Sequence, residues 1–356
     1  MKILIAGNMG YVGPLVVRQL RTSFPAATLV GFDAGYFAHC LVGADFLPEC
    51  LLDKQYFGDI RQLQRPLLEG FDAVVNLAAI SNDPMSNSFE APTYAINHQA
   101  AVTLAKYAKA AGVRSYVFAS SCSVYGCADD GARQESSELN PLTAYAKSKV
   151  ATERDLESLA GSGFTVTCLR FATACGMSDR LRLDLVLNDF VAGAITSKKI
   201  SVLSDGTPWR PLINVRDMAR AIEWAVGRQE VHGGTHLVVN VGSNEWNCQV
   251  RELAEAVASV IPGVEVSINK NAQADKRSYR VSYDLFKQLA PEFQPLSDLK
   301  STVNDLKEGL LRAGFKDPNY RESTMMRLNV LKTLQRNGVL TQSLEWIPNA
   351  RRVTVG

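Results

Sequence analysis

Tyr145 and Lys149 are four residues apart in the stretch YAKSK, on a segment of helical character, so both side chains project from one helix face. A phenol is a poor base at neutral pH because its unperturbed pKa is about 10, and a neighbouring ammonium group lowers that pKa by favouring the phenolate. Ser121 ends an apolar run upstream and can hydrogen-bond the same substrate oxygen. These residues predict acid/base chemistry on that oxygen, although the Tyr/Lys spacing alone is also typical of a solvated helix face.

A glycine-rich stretch, GNMGYVG, directly follows the first apolar segment of the chain. Gly7, Gly10 and Gly13 allow a tight turn, a close approach of backbone amides to a pyrophosphate, and close packing of helix on strand. The helix that starts there adds free N–H groups and the positive end of its dipole. The stretch predicts a dinucleotide site, with a plain packing turn as the alternative.

Asp33 ends the second predicted strand, twenty residues after Gly13, where a carboxylate can accept hydrogen bonds from the adenosine ribose. A carboxylate there repels a 2′-phosphate, and no arginine follows it, since the next residues are Ala34 and Gly35. The sequence therefore predicts NAD rather than NADP. The stretch GDI, with Asp59 and Ile60, offers contacts for adenine, and the small residues of NLAA at 76–79 let a dinucleotide lie against the backbone.

Five short, apolar, β-rich segments are the predicted strands that position these residues, at 3–6, 28–32, 73–77, 116–120 and 165–169. Segments of helical character lie between them, including 91–111 and 144–159. Strands that are apolar throughout are typical of a parallel sheet covered on both faces. The alternation predicts an α/β fold, a Rossmann-type doubly wound parallel sheet.

Beyond residue 175 the pattern is looser and predicts a smaller, mixed α/β substrate-binding lobe. We expect helices at 184–196, 215–226 and 250–261, a strand at 235–241, and an amphipathic helical tail over 317–336. The predicted division is a NAD-binding domain at 1–175 with returns from the second half, an interleaved substrate lobe at 176–316, and a C-terminal tail at 317–356.

The bulk composition favours a small-molecule partner. The chain has 356 residues, 46% of them hydrophobic, and a net charge of +2 from 38 basic and 36 acidic residues without a basic block. This balance argues against nucleic acid or a membrane surface as the main partner. No apolar run approaches a membrane span or a signal peptide, so we expect a cytoplasmic protein. The seven cysteines are spread without close pairs, which indicates neither a disulfide framework nor a metal site.

Taken together, the chain resembles the extended short-chain dehydrogenase/reductases of the nucleotide-sugar epimerase and dehydratase group, with UDP-glucose 4-epimerases as the nearest type. The resemblance extends over nearly the whole chain, including LRFATACG at 169–176 and SDGTPWRPLINVRDMARAI at 204–222. The residues that carry it are Gly7, Gly10, Gly13, Asp33, Asp59, Ile60, Asn76, Leu77, Ala78, Ala79, Asn97, Ser120, Ser121, Val124, Tyr125, Gly126, Tyr145 and Lys149.

The resemblance implies that Tyr145 is the acid/base on the sugar hydroxyl, that Lys149 holds the nicotinamide ribose, and that Ser121 completes the pair on the reacting oxygen. The NAD site that we expect comprises Gly7, Gly10, Tyr11, Val12, Gly13, Asp33, Asp59, Ile60, Leu77, Ala78, Ala79, Asn97, Ser120, Tyr145 and Lys149. The expected site for a nucleotide-diphosphate sugar comprises Ser121, Ser123, Thr173, Arg182, Asn188, Arg210 and Arg277. For Asn188 and Arg277 a core or surface role is the alternative. The family also implies a homodimer formed through the segments 92–111 and 145–159.

The residues after Ser121 favour one reaction of this group. Relatives that eliminate water have acid/base carboxylates in the two positions after the catalytic Ser or Thr, and these positions here are Cys122 and Ser123. Neither side chain suits elimination, because a serine hydroxyl is barely acidic and a lone thiol has a pKa near 8.5. The sequence therefore predicts epimerisation, most simply at C4, through transient oxidation to a keto-sugar. The alternatives are a dehydrogenase or ketoreductase, a dehydratase or decarboxylase, and a non-catalytic NAD sensor.

Overall fold

A seven-stranded parallel sheet forms the centre of the molecule, in a computed structural model that describes residues 1–128, 131–272 and 278–348. The strands in chain order are β1 Lys2–Ala6, β2 Thr28–Asp33, β3 Lys54–Phe57, β4 Ala73–Asn76, β5 Ser115–Ser121, β6 Ala132–Arg133, β7 Thr165–Phe171, β8 Thr173–Cys175, β9 Lys199–Val202, β10 Trp209–Asn214, β11 His236–Val241, β12 Asn247–Gln249, β13 Glu265–Ile268 and β14 Arg280–Val281. The central sheet has the order β11-β7-β5-β4-β1-β2-β3. Because all seven strands are parallel, their carboxyl ends lie along one edge of the sheet, where ligands bind in folds of this kind.

Helices cover both faces of this sheet. The α-helices in chain order, including those of the smaller lobe, are α1 Gly13–Ser23, α2 Asp83–Ser88, α3 Glu90–Tyr94, α4 Ala101–Ala110, α5 Ala144–Glu157, α6 Val186–Thr196, α7 Val215–Gly227, α8 Val250–Val260, α9 Asp284–Leu289, α10 Leu299–Arg312 and α11 Arg327–Arg336. Helices α1 and α7 pack on one face, and α4 and α5 pack on the other. The predicted doubly wound, Rossmann-type α/β fold is confirmed.

The apolar strands follow directly from burial on both faces. In β1, Ile3 and Ile5 enter the core on the α1 side, whereas Leu4 and Ala6 enter the core on the α4 side. Successive side chains of a strand point to opposite faces, so a strand between two helical layers needs apolar residues at every position.

The five predicted strands are present, and β5 and β7 extend further than expected, to Ser121 and Phe171. The predicted helix at 91–111 is divided, because a π-helical turn at Ala95–Ala100 separates α3 from α4. Such a turn widens the helix and is frequent at functional sites.

The second half of the chain builds a smaller lobe and also returns to the central sheet. Strand β11 pairs with β7 at the sheet edge, and α7 packs on α1. The lobe contains the sheet β12-β10-β8 and the strand pairs β13-β9 and β14-β6. Helix α10 was absent from our predictions, although Asp298 and Ser301 form a capping box and Val303, Leu306 and Leu310 are buried along one face.

The tail differs from the prediction of a helix over 317–336, which is wrong for residues 317–326. The α-helix starts only at Arg327, after a short 3₁₀ turn at Tyr320–Glu322 and an extended Met326. Asp317 accepts a hydrogen bond from the backbone N–H of Asn319, which stabilises a turn at the point where the helix was expected.

In the three described ranges, no helix is both long and apolar enough to cross a bilayer. The same residues hold no group of three or more His, Cys, Asp or Glu side chains that is arranged to bind a metal. All seven cysteines are unpaired, and Cys40, Cys122, Cys168 and Cys175 are buried.

Candidate active site

A cleft of about 600 Å³ lies at the carboxyl edge of the central sheet, between the sheet and the smaller lobe. It is continuous from the glycine-rich loop after β1 to Arg210 and Tyr279 in the lobe. Its volume and its mixture of apolar walls with a few polar groups are typical of a site for a small organic ligand. We name three parts of the cleft after the sequence predictions and describe them in order: the dinucleotide end around Gly7 and Asp33, the catalytic centre around Tyr145 and Lys149, and the lobe end around Arg210.

The glycine-rich loop has the shape that a pyrophosphate requires. Gly7 has φ +85°, and a Cβ there would lie 2.5 Å from the backbone N of Ala78. A Cβ on Gly13 would lie 2.0 Å from the carbonyl oxygen of Asn8, so only glycine permits the packing of α1 on the loop. Gly10 lines the cleft, and a Cβ there would have one neighbour within 4 Å, the Gly7 carbonyl oxygen at 3.3 Å. An added side chain would therefore occupy space that the ligand needs.

Asp33 lies at the end of β2, where it lines the cleft. Its two carboxylate oxygens accept hydrogen bonds from the backbone N–H groups of Met9 (2.9 Å) and Gly35 (2.7 Å). Burial raises the pKa of Asp33, and these two hydrogen bonds oppose that rise. The open glycine cradle and a buried carboxylate beside it fit the pyrophosphate and ribose of NAD.

The remaining residues of the dinucleotide end differ in how directly they face the cleft. Tyr11, Val12, Ile60 and Ser120 line it, as do Leu77, Ala78 and Ala79. Asp59 also lines it, but Arg61 forms an ion pair with that carboxylate and donates Nε to both oxygens, at 2.9 and 3.0 Å. The charge of the Asp59 carboxylate is therefore balanced by Arg61 where the pair faces the cleft.

Asn97, which the sequence predicts to contact the cofactor, is not among the residues that line the cleft. It is fully buried inside the π-helical turn. Its Oδ1 accepts from the backbone N–H of Ile80 at 2.8 Å, and its Nδ2 donates to the carbonyl of Ile80 at 3.0 Å and to the Ser148 hydroxyl at 3.2 Å. Because all of its polar atoms have protein partners, Asn97 positions the loop after β4 and the helix that carries Tyr145.

Tyr145, Lys149 and Ser121, the predicted catalytic residues, lie close together in the middle of the cleft. Thr143 caps the N-terminus of α5 by accepting a hydrogen bond from the backbone N–H of Ala146 at 3.2 Å. Tyr145 then lies in the first turn, and Lys149 lies one turn later. Burial raises the pKa of Tyr145 above its usual value of 10.0, whereas a hydrogen bond with Ser121 acts in the opposite direction.

Lys149 is buried and donates a hydrogen bond from Nζ to the carbonyl of Ala119 at 2.6 Å. Its Nζ lies 4.5 Å from the ring centroid of Phe118 and 5.6 Å from that of Tyr145. Burial lowers the pKa of Lys149 from 10.5 to about 7, although the nearby Glu153 carboxylate opposes the shift. The amine is therefore poised to gain or lose a proton near neutral pH.

The two residues after Ser121 have different surroundings. Cys122 is fully buried, does not line the cleft, and donates its thiol to the carbonyl of Arg170 at 3.0 Å. Burial also raises the pKa of this thiol. Ser123 lines the cleft, and its hydroxyl has no hydrogen-bond partner among the described residues. A buried hydroxyl without a partner is costly, so Ser123 is a candidate to bind substrate.

Asp83 is a carboxylate in the cleft that the sequence predictions missed. It is the first residue of α2, directly after the loop that follows β4, and it accepts a hydrogen bond from the Thr143 hydroxyl at 2.8 Å. Its charge acts to raise the pKa values of both Tyr145 and Tyr279. The two positions after Ser121 lack a carboxylate, as the sequence shows, but Asp83 brings one into the same cleft from α2. Its position just after a strand end was the available signal.

The lobe end of the cleft contains part of the predicted substrate set. Thr173 and Arg210 line the cleft, and Arg210 donates to the carbonyl of Trp209 at 2.9 Å. Tyr279, which was not predicted, lines it too. Arg277 lies outside the described residues.

Arg182 links the two sides of the cleft. It forms an ion pair with Asp184 and donates Nη1 to the Ser81 hydroxyl at 2.8 Å. Asn82 donates to the other oxygen of Asp184, also at 2.8 Å. The loop after β4 is thus tied to the segment before α6, which encloses the cleft between them.

Asn188, a predicted substrate residue with a core role as the alternative, is not among the residues that line the cleft. It is fully buried, and its side chain bonds Gly176, the Tyr11 hydroxyl at 3.0 Å and the carbonyl of Arg182 at 2.9 Å. With every polar atom used inside the protein, Asn188 joins the lobe to the glycine-rich loop instead.

Comparison with known proteins agrees with this geometry. The family model described as "NAD dependent epimerase/dehydratase family" matches residues 3–242. A UDP-glucose 4-epimerase of Streptomyces lividans is 28% identical over 277 residues, which cover 73% of this chain and 80% of that protein.

Two solved structures have the same fold. MoeE5 in complex with UDP-glucuronic acid and NAD has a TM-score of 0.73 and 24% identity, over 88% of this chain and 100% of that one. TunA, described as an NAD-dependent NDP-hexosamine 5,6-dehydratase, has a TM-score of 0.75 and 23% identity, over 89% and 99% of the two chains.

Proposed function

The chain belongs to the NAD dependent epimerase/dehydratase family and is an NAD-dependent enzyme, and from that premise we propose that it epimerises a nucleotide-diphosphate sugar, at C4, through a transient keto-sugar. The observation that carries the proposal is the pair of positions after Ser121. Cys122 is buried away from the cleft, and Ser123 offers a hydroxyl where eliminating enzymes need a carboxylate. The likeness to a UDP-glucose 4-epimerase supports the same reaction.

In the proposed reaction, Tyr145 accepts the proton of the sugar hydroxyl and later returns it. Ser121 binds the same oxygen, so the phenol and the hydroxyl together position the reacting carbon. Lys149, held by the carbonyl of Ala119, places a titratable amine 5.6 Å from the phenol ring. NAD supplies the acceptor and the donor of the hydride when it is bound. Inversion follows when the ketone presents its opposite face before the hydride returns.

The substrate that we propose is a UDP-sugar, whose diphosphate is bound at the lobe end. Arg210 lines that end, and a guanidinium group suits phosphate oxygens. The free hydroxyl of Ser123 and the hydroxyl of Thr173 lie in the same cleft and are available for the sugar.

A dehydratase is the second candidate, and Asp83 is the observation that favours it. Elimination needs a group that removes a proton from carbon, and a carboxylate from α2 in the same cleft as Tyr145 has the required chemistry. The fold similarity to TunA is consistent with this alternative.

Product analysis with UDP-sugars tests the proposal. The purified protein is incubated with UDP-glucose, UDP-galactose and their N-acetylated forms. The products are separated by chromatography, and their masses are measured by mass spectrometry. Interconversion of two sugars of equal mass, without accumulation of reduced nicotinamide, supports epimerisation. Loss of one water from the product supports the dehydratase, and stoichiometric NADH supports a dehydrogenase.

The variant Asp83→Asn separates the two candidates at the residue level. If the reaction is epimerisation, Tyr145 transfers the hydroxyl proton and no proton leaves carbon. We then expect turnover to change by less than about tenfold, because the amide keeps a polar group in place. If Asp83 removes a proton from carbon, we expect a loss of about 10²- to 10⁴-fold. Tyr145→Phe is the reference variant: it should abolish turnover while the protein retains NAD, and unchanged turnover would contradict the role of the phenol.

A further inference from the structure

Arg327, the first residue of α11, is a buried cation in the wall of the cleft. It is 1% exposed and lines the cleft. Its Nη2 donates to the carbonyl of Arg180 at 2.6 Å and to that of Leu181 at 3.3 Å, and its Nη1 donates to the carbonyl of Thr324 at 3.3 Å. The guanidinium also lies 4.9 Å from the ring centroid of Phe37. Within the described part of the chain, no carboxylate forms an ion pair with it.

The neighbouring arginines already have acidic partners. Arg180 pairs with Glu49 at 2.7 Å, and Arg182 pairs with Asp184 at 2.5 Å. Of these three arginines, Arg327 is the one that has no ion-pair partner among the described residues. Burial lowers the pKa of Arg327 to about 10; Cys40 and Asp184 oppose this shift, whereas Arg182 and Arg180 act in the same direction as burial. A buried charge without a counter-charge is unfavourable, and an anionic ligand would offset that cost.

Hydrogen bonds connect Arg327 to the glycine-rich loop through one short segment. The Ser178 hydroxyl donates to the carbonyl of Tyr11 at 2.6 Å, and the backbone N–H of Arg180 donates to Ser178 at 3.2 Å. Arg327 then bonds the carbonyl of Arg180. Tyr11 belongs to the loop that precedes α1, where the helix N-terminus favours anions. Arg327 and the glycine-rich loop therefore both bond to the segment 178–180.

The chain beyond α11 is also attached to the dinucleotide end. Arg61 donates to the carbonyls of Ser343 at 2.7 Å and Leu344 at 2.9 Å, and Trp346 donates from its indole nitrogen to the carbonyl of Ala34 at 2.6 Å. Ala34 directly follows Asp33. These contacts attach the C-terminal segment, residues 317–348, to the part of the dinucleotide end around Asp33, which we call the adenosine end.

From these contacts we propose that Arg327 binds the pyrophosphate of NAD, so that the C-terminal segment completes the cofactor site. The proposal rests on NAD as the cofactor. It adds a ligand from a part of the chain beyond residue 242, where the match to the family model ends. A guanidinium group suits this task because its parallel N–H groups can bind two phosphate oxygens at once.

Calorimetric binding of ADP-ribose and of adenosine to the full-length protein tests the proposal. The variants are Arg327→Gln, which removes the charge, and Arg327→Lys, which keeps it. Arg336→Gln is the matched control, since Arg336 is exposed at the other end of α11 and, among the described residues, its side chain bonds only the Thr333 hydroxyl. A thermal melt without ligand monitors the folding of each variant.

We expect Arg327→Gln to weaken ADP-ribose binding by about 10- to 100-fold, as befits a lost hydrogen bond to a charged group. Arg327→Lys should lose less, and Arg336→Gln should match the wild type. Adenosine, which has no phosphate, should bind all four proteins alike. Equal ADP-ribose affinity in the wild type and Arg327→Gln would overturn the proposal, and so would an equal loss for both ligands, which indicates a purely structural role. If the wild type itself failed to bind ADP-ribose, the cofactor assignment would fail instead.

Discussion

At the scale of single residues, Glu153 organises the groups behind the catalytic centre. It lies one turn after Lys149 on α5, is 5% exposed, and forms an ion pair with Arg170 at 2.7 Å. It also accepts a hydrogen bond from the Ser120 hydroxyl. The pair is buried, so removal of either partner would leave an uncompensated charge. Glu153 thereby fixes the end of β5 against α5, which keeps Ser121 and Tyr145 within reach of one oxygen.

The buried amine of Lys149 makes stability depend on pH. Its pKa is about 7 in the folded protein and near 10.5 in the unfolded chain, so the folded state binds this proton less tightly. The resulting destabilisation is complete below pH 7 and disappears as the pH rises towards 10.5. We therefore expect Lys149→Met to be more stable than the wild type at pH 6.5, with a smaller difference at pH 9.5.

Chemical denaturation of the NAD-free proteins at both pH values measures this difference. Lys147→Met, on the exposed side of the same helix, is the control and should show no such dependence on pH. A Lys149→Met advantage that stays constant or grows between pH 6.5 and 9.5 would contradict the depressed pKa.

At the scale of elements, the helix that lies behind the loop after β4 was predicted only as a continuous segment. The apolar pattern over 91–111 indicated a helix correctly, but it carried no sign of the π-helical turn that directs Asn97 to Ile80. Asn97 and Ile80 are 17 positions apart, so the pattern within the helix carries no information about their contact. By contrast, the glycine spacing, Asp33 and the Tyr145/Lys149 pair were predictable because each lies within one local strand, turn or helix.

We expect Asn97→Ala to lower the free energy of unfolding by about 1–3 kcal/mol, because it leaves both backbone groups of Ile80 without their partner. It should also weaken NAD binding, since Ile80 lines the cleft. Urea unfolding and NAD titration measure the two effects. His98→Ala, at the neighbouring position, removes a surface hydrogen bond between the imidazole and Asp155 and should change stability by less than about 1 kcal/mol. Equal losses in the two variants would refute the positioning role of Asn97.

At the scale of the whole molecule, the cleft is assembled from both ends of the chain. Its walls include Gly7 near the start and Arg327 near the end. Sequence patterns identified the first half of this arrangement, since its residues follow strand ends in order. They did not identify Asp83, Tyr279 or Arg327, whose positions depend on how the loop after β4, the lobe and the tail pack together.

We expect Trp346→Ala to release NAD roughly fivefold faster than the wild type, because it removes a hydrogen bond to Ala34 and a ring contact with Tyr36, a net effect of about 1 kcal/mol. Stopped-flow displacement of NAD by excess ADP-ribose measures this rate. Leu296→Ala, at a site 76% exposed, should behave as the wild type does. An unchanged release rate would show that the tail contributes nothing to the adenosine end.

The span of the cleft walls, from residue 7 to residue 327, has a consequence for biosynthesis. A ribosome makes the glycine-rich loop long before Arg327, so a polypeptide released between these two positions lacks part of the cleft wall. Ligands stabilise only chains that bind them. NAD therefore favours the survival of chains that include Arg327 over chains that stop before it, and cellular proteases would remove the latter first.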